Sequence, residues 1–157
     1  METCFFKTPL GIAQITGDEN GISVISIADE GEISPESPVI LQEGVTQLLE
    51  YFDGKRNDFD FKINPSGTEF QQKVWQALLE IPFGKTCSYM DLSKKLGDVK
   101  AIRAVASANG KNPLWIVVPC HRVIGTDGSL TGYAGGLWRK KWLLEHENPS
   151  RKQELLF

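Results

Sequence analysis

Apolar and polar positions alternate in the first third of the chain, in three short runs separated by turn-forming residues. The runs cover Cys4–Phe6, Ile12–Ile15 and Ile22–Ile27, and the last follows the turn segment Asp18–Gly21. Alternation with a period of two, bounded by turn residues, predicts two or three antiparallel strands.

The spacing then changes to that of a helix. Apolar side chains recur every three or four residues across 41–54, at Leu41, Val45, Leu48, Leu49 and Phe52, and Gly54 ends the pattern. This spacing predicts an amphipathic helix, so the first unit is expected to be a small α+β domain. The turn-rich segment around Pro65 divides the chain into predicted domains 1–64 and 65–157.

The second domain opens on a helix start signal. Thr68 and Gln71 have the spacing of a capping box, and the following helix is predicted to end at Pro82–Gly84. Its expected inward face consists of Phe70, Val74, Leu78 and Ile81.

Two shorter helices follow. Ser88 heads the first, Gly97 breaks it, and Asp98 caps a second helix that runs to about Gly110. This arrangement predicts a helix-turn-helix, with a plain αα-hairpin as the alternative.

The second of these helices carries few long polar side chains. Ile102, Val105 and Ala106 are expected to face the core, and the remainder is expected to be exposed: Ala101, Ala104, Ala108, Arg103 and Asn109. A helix that reads bases in the major groove presents several polar side chains, so this one predicts close docking that is indifferent to sequence. Small residues such as Ala104 suit an approach to the minor groove.

The most informative stretch follows an apolar run. Leu114–Val118 is predicted to be a buried strand, which Pro119 ends before Cys120 and His121. Because neighbouring strand residues point to opposite sides, the thiol and the imidazole need a turn or an intervening water to cooperate. A core cysteine beside an incidental histidine is the alternative interpretation.

Charge is distributed unevenly along the chain. The net charge is −3, but residues 1–83 hold five Lys/Arg and fourteen Asp/Glu, whereas residues 84–142 hold ten and three. A basic second half that contacts phosphates and a merely solvated charged surface both fit this pattern. Three cysteines without C-x-x-C spacing predict reduced thiols with no disulfide framework and no metal site. No cofactor is expected. The start of the chain lacks a leader pattern, and a cytoplasmic location is expected.

Several chemistry-bearing residues accompany Cys120-His121 in a specific order. Tyr89, Arg103 and Asn112 precede this pair, and Tyr133, Gly135-Gly136 and Glu147 follow it. From about Pro65 to Glu147 the sequence resembles the O6-alkylguanine-DNA alkyltransferase family. The resemblance implies a ribonuclease H-like first domain and a winged helix-turn-helix-like DNA-binding element in the second.

The resemblance also implies the chemistry. The thiolate of Cys120 would take the alkyl group from guanine O6 in a single turnover, with His121 linked to the thiol through a water and oriented by Glu147. Tyr89 would help to rotate the nucleotide and donate a proton to guanine N3; a packing aromatic is the alternative. Arg122 would be either an ion-pair partner or a source of positive potential, and Glu145 and His146 are expected at the surface.

Further roles concern the substrate. The resemblance implies that Arg103 fills the place vacated by the flipped base and that Asn112 ties the helix pair to the active-site loop, although Asn112 could equally be a turn residue. Tyr133 and Ala134 would wall the base pocket, Ala134 standing where many relatives have serine. The carbonyls of Val123 and Cys120 would meet the guanine amino group.

The implied partner is double-stranded DNA containing O6-alkylguanine, with O4-alkylthymine as a further substrate, and the expected protein is a monomer without an obligate protein partner. The zinc site of some relatives cannot form, since the first domain has only Cys4 and no histidine precedes His121.

Three other functions remain as alternatives: a noncatalytic lesion-binding protein, disfavoured by the cysteine at 120; a transcription regulator, disfavoured by the alanine-rich helix; and a cysteine hydrolase using Cys120, His121 and Glu147.

Overall fold

An antiparallel sheet forms the first of two units. The computed structural model describes residues 1–130, 133 and 135–150, and its contacts group Met1–Ser66 with Pro113–Val117. The strands are β1 (Glu2–Thr8), β2 (Gly11–Asp18) and β3 (Gly21–Ala28), in the order β1-β2-β3. The predicted antiparallel strands are therefore confirmed.

Helix α1 (Val39–Phe52) covers the sheet. It buries the predicted apolar positions Leu41, Val45 and Leu48, and burial of this stripe stabilises a helix that is marginal in isolation. Gly54 follows with a φ of 75°, a conformation that glycine adopts without a steric penalty.

The predicted strand over Leu114–Val118 is wrong. Every residue of this run is buried, but only Leu114 pairs with the sheet, through a single bridge to Ile25. Val117 N then donates to Trp115 O at 2.9 Å across Ile116, whose φ is 72°. A turn centred on a β-branched residue with positive φ is strained and takes the chain out of the strand direction.

The second unit comprises Gly67–Asn112 and the chain from Val118 onward. It begins with α2 (Glu69–Leu78), and Thr68 and Gln71 make both hydrogen bonds of the predicted capping box. Val74 and Leu78 face inward as predicted, but Phe70 is 38% exposed. The buried stripe instead includes Trp75, whose Nε1 donates to Ala108 O at 2.9 Å.

Two short helices follow α2 and pack against each other. These are α3 (Tyr89–Lys95), capped by Ser88, and α4 (Ile102–Gly110), which a short 3₁₀ turn capped by Asp98 precedes. The remaining elements are β4 (Cys87–Ser88), its parallel partner β5 (Val123–Ile124) and α5 (Leu137–Glu147). The predicted α+β class with a helical second unit is confirmed. No helix among the described residues is long and apolar enough to cross a membrane.

Candidate active site

Cys120 lies where one tight turn ends and a second one begins. Pro119 has φ −81° and ψ 65°, and across it Cys120 N donates to Val118 O at 2.8 Å. This is the geometry of an inverse γ-turn, and the proline ring fixes its φ. A 3₁₀ turn over Cys120–Arg122 follows, so the thiol is held on a rigid segment with only 7% of the residue exposed.

Asn112 fixes this segment from the end of the helix pair. Its Nδ2 donates to Val118 O at 2.7 Å and lies 3.2 Å from Cys120 Sγ. One amide therefore contacts both the backbone that carries the cysteine and the sulfur itself. An N–H donor to sulfur stabilises the thiolate more than the thiol.

His121 and Glu147 form a buried pair. His121 Nε2 lies 2.7 Å from Glu147 Oε2, and the two side chains are 0% and 1% exposed. Arg122 binds the same carboxylate twice, from Nε to Oε1 at 2.7 Å and from Nη2 to Oε2 at 3.0 Å. Its Nη1 also donates to Ile81 O at 2.6 Å. Of the two roles left open for Arg122, the structure shows the ion pair.

These contacts set the protonation states of the pair. Burial alone would raise the pKa of Glu147, but the hydrogen bond from His121 and the ion pair with Arg122 outweigh it and hold the pKa well below its usual range. Burial lowers the pKa of His121, against the opposing influence of Glu147. We therefore describe the pair as an ionised Glu147 and a neutral His121 at neutral pH. Because the carboxylate can only accept, Nε2 carries the imidazole proton and Nδ1 carries the lone pair.

The imidazole does not bond directly to the thiol. None of the hydrogen bonds of Cys120 to described residues involves His121, and His121 Nδ1, which is buried, bonds to none of those residues either. His121 Nδ1 can therefore accept a hydrogen bond from a water that bridges it to the thiol.

Lys140 is a site residue that the sequence interpretation did not identify. It is 0% exposed, and its Nζ lies 5.9 Å from the ring centre of Tyr89 and 6.0 Å from that of Tyr133. Burial lowers the pKa of Lys140 to about 8, partly opposed by the nearby charge of Cys120. Burial raises the pKa of the Cys120 thiol, and the amide of Asn112, the charge of Lys140 and the hydroxyl of Tyr133 only partly offset this.

Asn109 was expected on the exposed face of α4 and is instead 2% exposed. Its Nδ2 lies 3.5 Å from Tyr89 Oη and 3.4 Å from Cys120 O. The inward face of α4 consists of Val105, Ala108 and Asn109. This stripe is rotated from the predicted one, and the backbone oxygen of Ala108 on it accepts a hydrogen bond from Trp75 Nε1 of α2.

The rest of the α4 prediction changes accordingly. Ala106 was expected in the core and is exposed, whereas Ala108 was expected at the surface and is 3% exposed. Arg103 and Ala104 are exposed, as predicted.

The other proposed substrate residues that the structure describes belong to the second unit. Tyr89 begins α3 and is half-buried, as is Tyr133, and Val123 is fully buried in β5. Ala134 lies outside the described residues. Glu145 and His146, expected at the surface, are half-buried, and His146 stacks on Trp142 with ring centres 4.8 Å apart.

Comparison with known proteins identifies the family. Residues 3–65 match the model for the ribonuclease-like domain of 6-O-methylguanine DNA methyltransferase, and residues 69–149 match the model for its DNA binding domain. A methylated-DNA–protein-cysteine methyltransferase of Methanosarcina acetivorans is 44% identical over 94% of this chain and 98% of its own length. One from Mycobacterium tuberculosis is 49% identical over 75% of this chain and 72% of its own length.

Solved structures give the same result. The O6-methylguanine methyltransferase of Mycobacterium tuberculosis superimposes with a TM-score of 0.84 at 40% identity, covering 94% of this chain and 93% of the other. The mycobacterial protein in complex with DNA superimposes with a TM-score of 0.84 at 41% identity, over 92% and 91% of the two chains. The chain therefore belongs to the 6-O-methylguanine DNA methyltransferase family.

Proposed function

We propose that this chain repairs alkylated DNA by direct reversal, with Cys120 as the acceptor of the alkyl group. In this reaction the sulfur attacks the alkyl carbon on guanine O6, an S–C bond forms, the C–O bond breaks, and the electron pair passes to the purine. The observation that carries the proposal is the position of Cys120 Sγ, 3.2 Å from Asn112 Nδ2 and next in sequence to the buried His121–Glu147 pair.

The thiol must lose its proton before it attacks. Burial raises the pKa of Cys120, so the unassisted thiolate is a minor species at neutral pH. We assign proton acceptance to Nδ1 of His121 through a water, because Glu147 holds the other ring nitrogen in the donor state. Asn112 and Lys140 then stabilise the anionic sulfur.

The leaving guanine needs a proton as the C–O bond breaks. We assign this donation to the hydroxyl of Tyr89, directed at N3, and we propose Tyr133 and Ala134 as further residues of the base site. The carbonyls of Val123 and Cys120 are proposed to accept from the guanine amino group.

Duplex DNA is the partner, and the helix pair α3 and α4 is the proposed contact. The exposed Arg103 would occupy the space that the flipped base leaves, and small residues such as Ala104 would allow a close approach in the minor groove. Unstacking and unpairing cost a few kcal/mol, which a planar cation in the vacated space partly offsets. We extend the proposal to O4-alkylthymine as a second substrate, to a monomeric protein and to a cytoplasmic location.

The product thioether is a poor leaving group, so each molecule is expected to act once. The first family match ends at Pro65 and the second begins at Glu69, which supports a boundary near this point between the proposed domains 1–64 and 65–157, the structural and the reactive part. Noncatalytic lesion binding is disfavoured, because Cys120 provides a nucleophile with a base beside it.

A titration tests the proposal. A duplex carrying O6-methylguanine inside a restriction site is incubated with increasing protein, and restored cleavage is measured for wild type and Cys120→Ala. Repair that plateaus at one lesion per wild-type molecule, with none for the variant, supports the proposal. Repeated turnover would indicate a hydrolase, and binding without repair would indicate a lesion-recognition protein; either result contradicts the proposal.

A further inference from the structure

Asn109 connects two groups that the proposed reaction uses. Its Nδ2 lies 3.5 Å from the hydroxyl of Tyr89 and 3.4 Å from the carbonyl oxygen of Cys120. The first group is the proposed proton donor to guanine, and the second belongs to the nucleophilic residue. Both contacts start from a side chain that is 2% exposed, at the buried end of α4.

The identity of the amide atom facing these groups follows from Cys120. A backbone carbonyl oxygen can only accept a hydrogen bond, so the atom of Asn109 next to it must be the NH₂ group. The same NH₂ then donates its second proton toward Tyr89 Oη. This contact uses a lone pair of the hydroxyl and does not use the hydroxyl proton.

The other amide atom argues against a purely structural role. Asn109 Oδ1 is buried and makes no hydrogen bond to any residue in the described part of the chain. A buried carbonyl without a partner destabilises the fold, and an apolar side chain of similar size would avoid that cost. The amide is therefore expected to contribute something other than packing.

We infer that Asn109 is a positioning residue that orients the Tyr89 hydroxyl toward the flipped base and stabilises the tyrosinate formed when that proton leaves. This inference rests on the proposed function. As the C–O bond to guanine breaks, the hydroxyl proton of Tyr89 passes to guanine N3, and the negative charge remains on Tyr89 Oη. The N–H of Asn109, already directed at that oxygen, becomes a charge-assisted donor.

After methyl transfer, both His121 and Tyr89 exchange a proton with solvent to regain their starting protonation states. The imidazolium of His121 returns the thiol proton to solvent, and Tyr89 takes one proton back. The positively charged Nζ of Lys140 lies 5.9 Å from the centre of the Tyr89 ring and is therefore close to the tyrosinate that forms. Asn109 thus donates a hydrogen bond toward the Tyr89 oxygen, and Lys140 places its charge near the Tyr89 ring.

The test is a double-mutant cycle in single-turnover kinetics. Asn109→Leu, which keeps the volume and removes both polar atoms, and Asn109→Ala are each made in wild type and in Tyr89→Phe. The inference predicts that each slows methyl transfer by about 10-fold to 100-fold in wild type, because proton donation contributes a factor of this order or more. In Tyr89→Phe the further slowing should be less than about threefold, since the group that Asn109 acts through is absent.

A substrate change supplies the matching control. A duplex with 3-deaza-O6-methylguanine lacks the nitrogen that receives the proton, so both Asn109 variants should react with it at nearly the wild-type rate. Equal fold losses in both backgrounds and on both substrates would overturn the inference and leave the proposed function intact. Failure of the wild-type protein to methylate Cys120 at all would instead overturn the proposed function, and the inference with it. Retained alkylation of Cys120 by iodoacetamide and a single cooperative melting transition show that a variant is folded.

Discussion

Glu147 Oε2 lies 2.7 Å from His121 Nε2, with both side chains removed from solvent and with Arg122 on the other side of the carboxylate. Arg122 satisfies the negative charge of Glu147, so His121 does not have to be protonated to form the pair. The imidazole is held by a strong contact and still keeps a basic nitrogen. This arrangement combines orientation with proton acceptance.

Glu147→Gln removes the charge that Arg122 and His121 face. An unpaired buried guanidinium is costly, and we expect the free energy of unfolding to fall by about 3–5 kcal/mol. Loss of the oriented base should slow methyl transfer by about 100-fold. Urea denaturation and single-turnover kinetics measure the two effects, and Glu145→Gln on the same helix is the control. Wild-type values for both quantities in Glu147→Gln would contradict the role of the pair.

Stability should decrease as the solution is acidified through the histidine range. Burial holds the pKa of His121 below its ordinary value, so the unfolded chain binds a proton that the folded chain does not. The free energy of unfolding should therefore fall from pH 7.5 to 5.5, with a slope that approaches about 1.4 kcal/mol per pH unit below ~6.5. Glu147, whose pKa is lowered, loses its stabilising effect only below ~4.3 and does not enter this window.

Two variants separate this effect from other titrations. His121→Asn should flatten the slope between pH 7.5 and 5.5 in urea denaturation, and His146→Asn, which removes the second histidine of the chain, should leave it in place. A slope that persists in His121→Asn would assign the pH dependence to another group.

The interior of the site was the part that sequence patterns could not predict. Thr68 and Ser88 cap their helices through contacts within four residues, so their roles are visible in local sequence. Asn109 and Lys140 are polar residues on helices, and a local pattern assigns such residues to the surface. Their burial depends on residues outside their own helices, such as Tyr89, which lies near both, and no helical period encodes such a relationship.

The apolar run before the active site shows the same limit. Hydrophobicity at Leu114–Val118 predicts burial correctly, but it does not determine where the backbone hydrogen bonds go. Ile116 takes a positive φ, which its β-branched side chain disfavours, and a strand becomes a turn. Only the tertiary structure selects such a conformation.

Lys140→Met tests the positive charge beside the nucleophile. Loss of this charge should raise the pKa of Cys120 further and slow its alkylation by iodoacetamide at pH 7 by about tenfold, if the charge is worth one pKa unit. Peptide mass spectrometry follows Cys120 separately from Cys4 and Cys87. Lys141→Met, the neighbouring residue, is the control. Equal alkylation rates in the two variants would rule out this role of Lys140.

Arg103→Ala tests the proposed insertion into DNA. Because the arginine would offset part of a flipping cost of a few kcal/mol, repair of duplex O6-methylguanine should slow by about 10-fold or more. Reaction with the free base O6-benzylguanine should be unaffected, since nothing has to be flipped. Lys100→Ala removes one exposed charge from the same region and corrects for general phosphate attraction. An undiminished duplex rate in Arg103→Ala would refute the role.

In the proposed reaction, Cys120 itself becomes the alkyl carrier. Purified protein is incubated with excess duplex containing O6-methylguanine, and the intact protein and its peptides are then weighed by mass spectrometry. We expect a gain of one methylene per molecule, confined to the Cys120 peptide, with Cys4 and Cys87 unmodified. Restored guanine in the DNA without added mass at Cys120, or added mass on another residue, would contradict it.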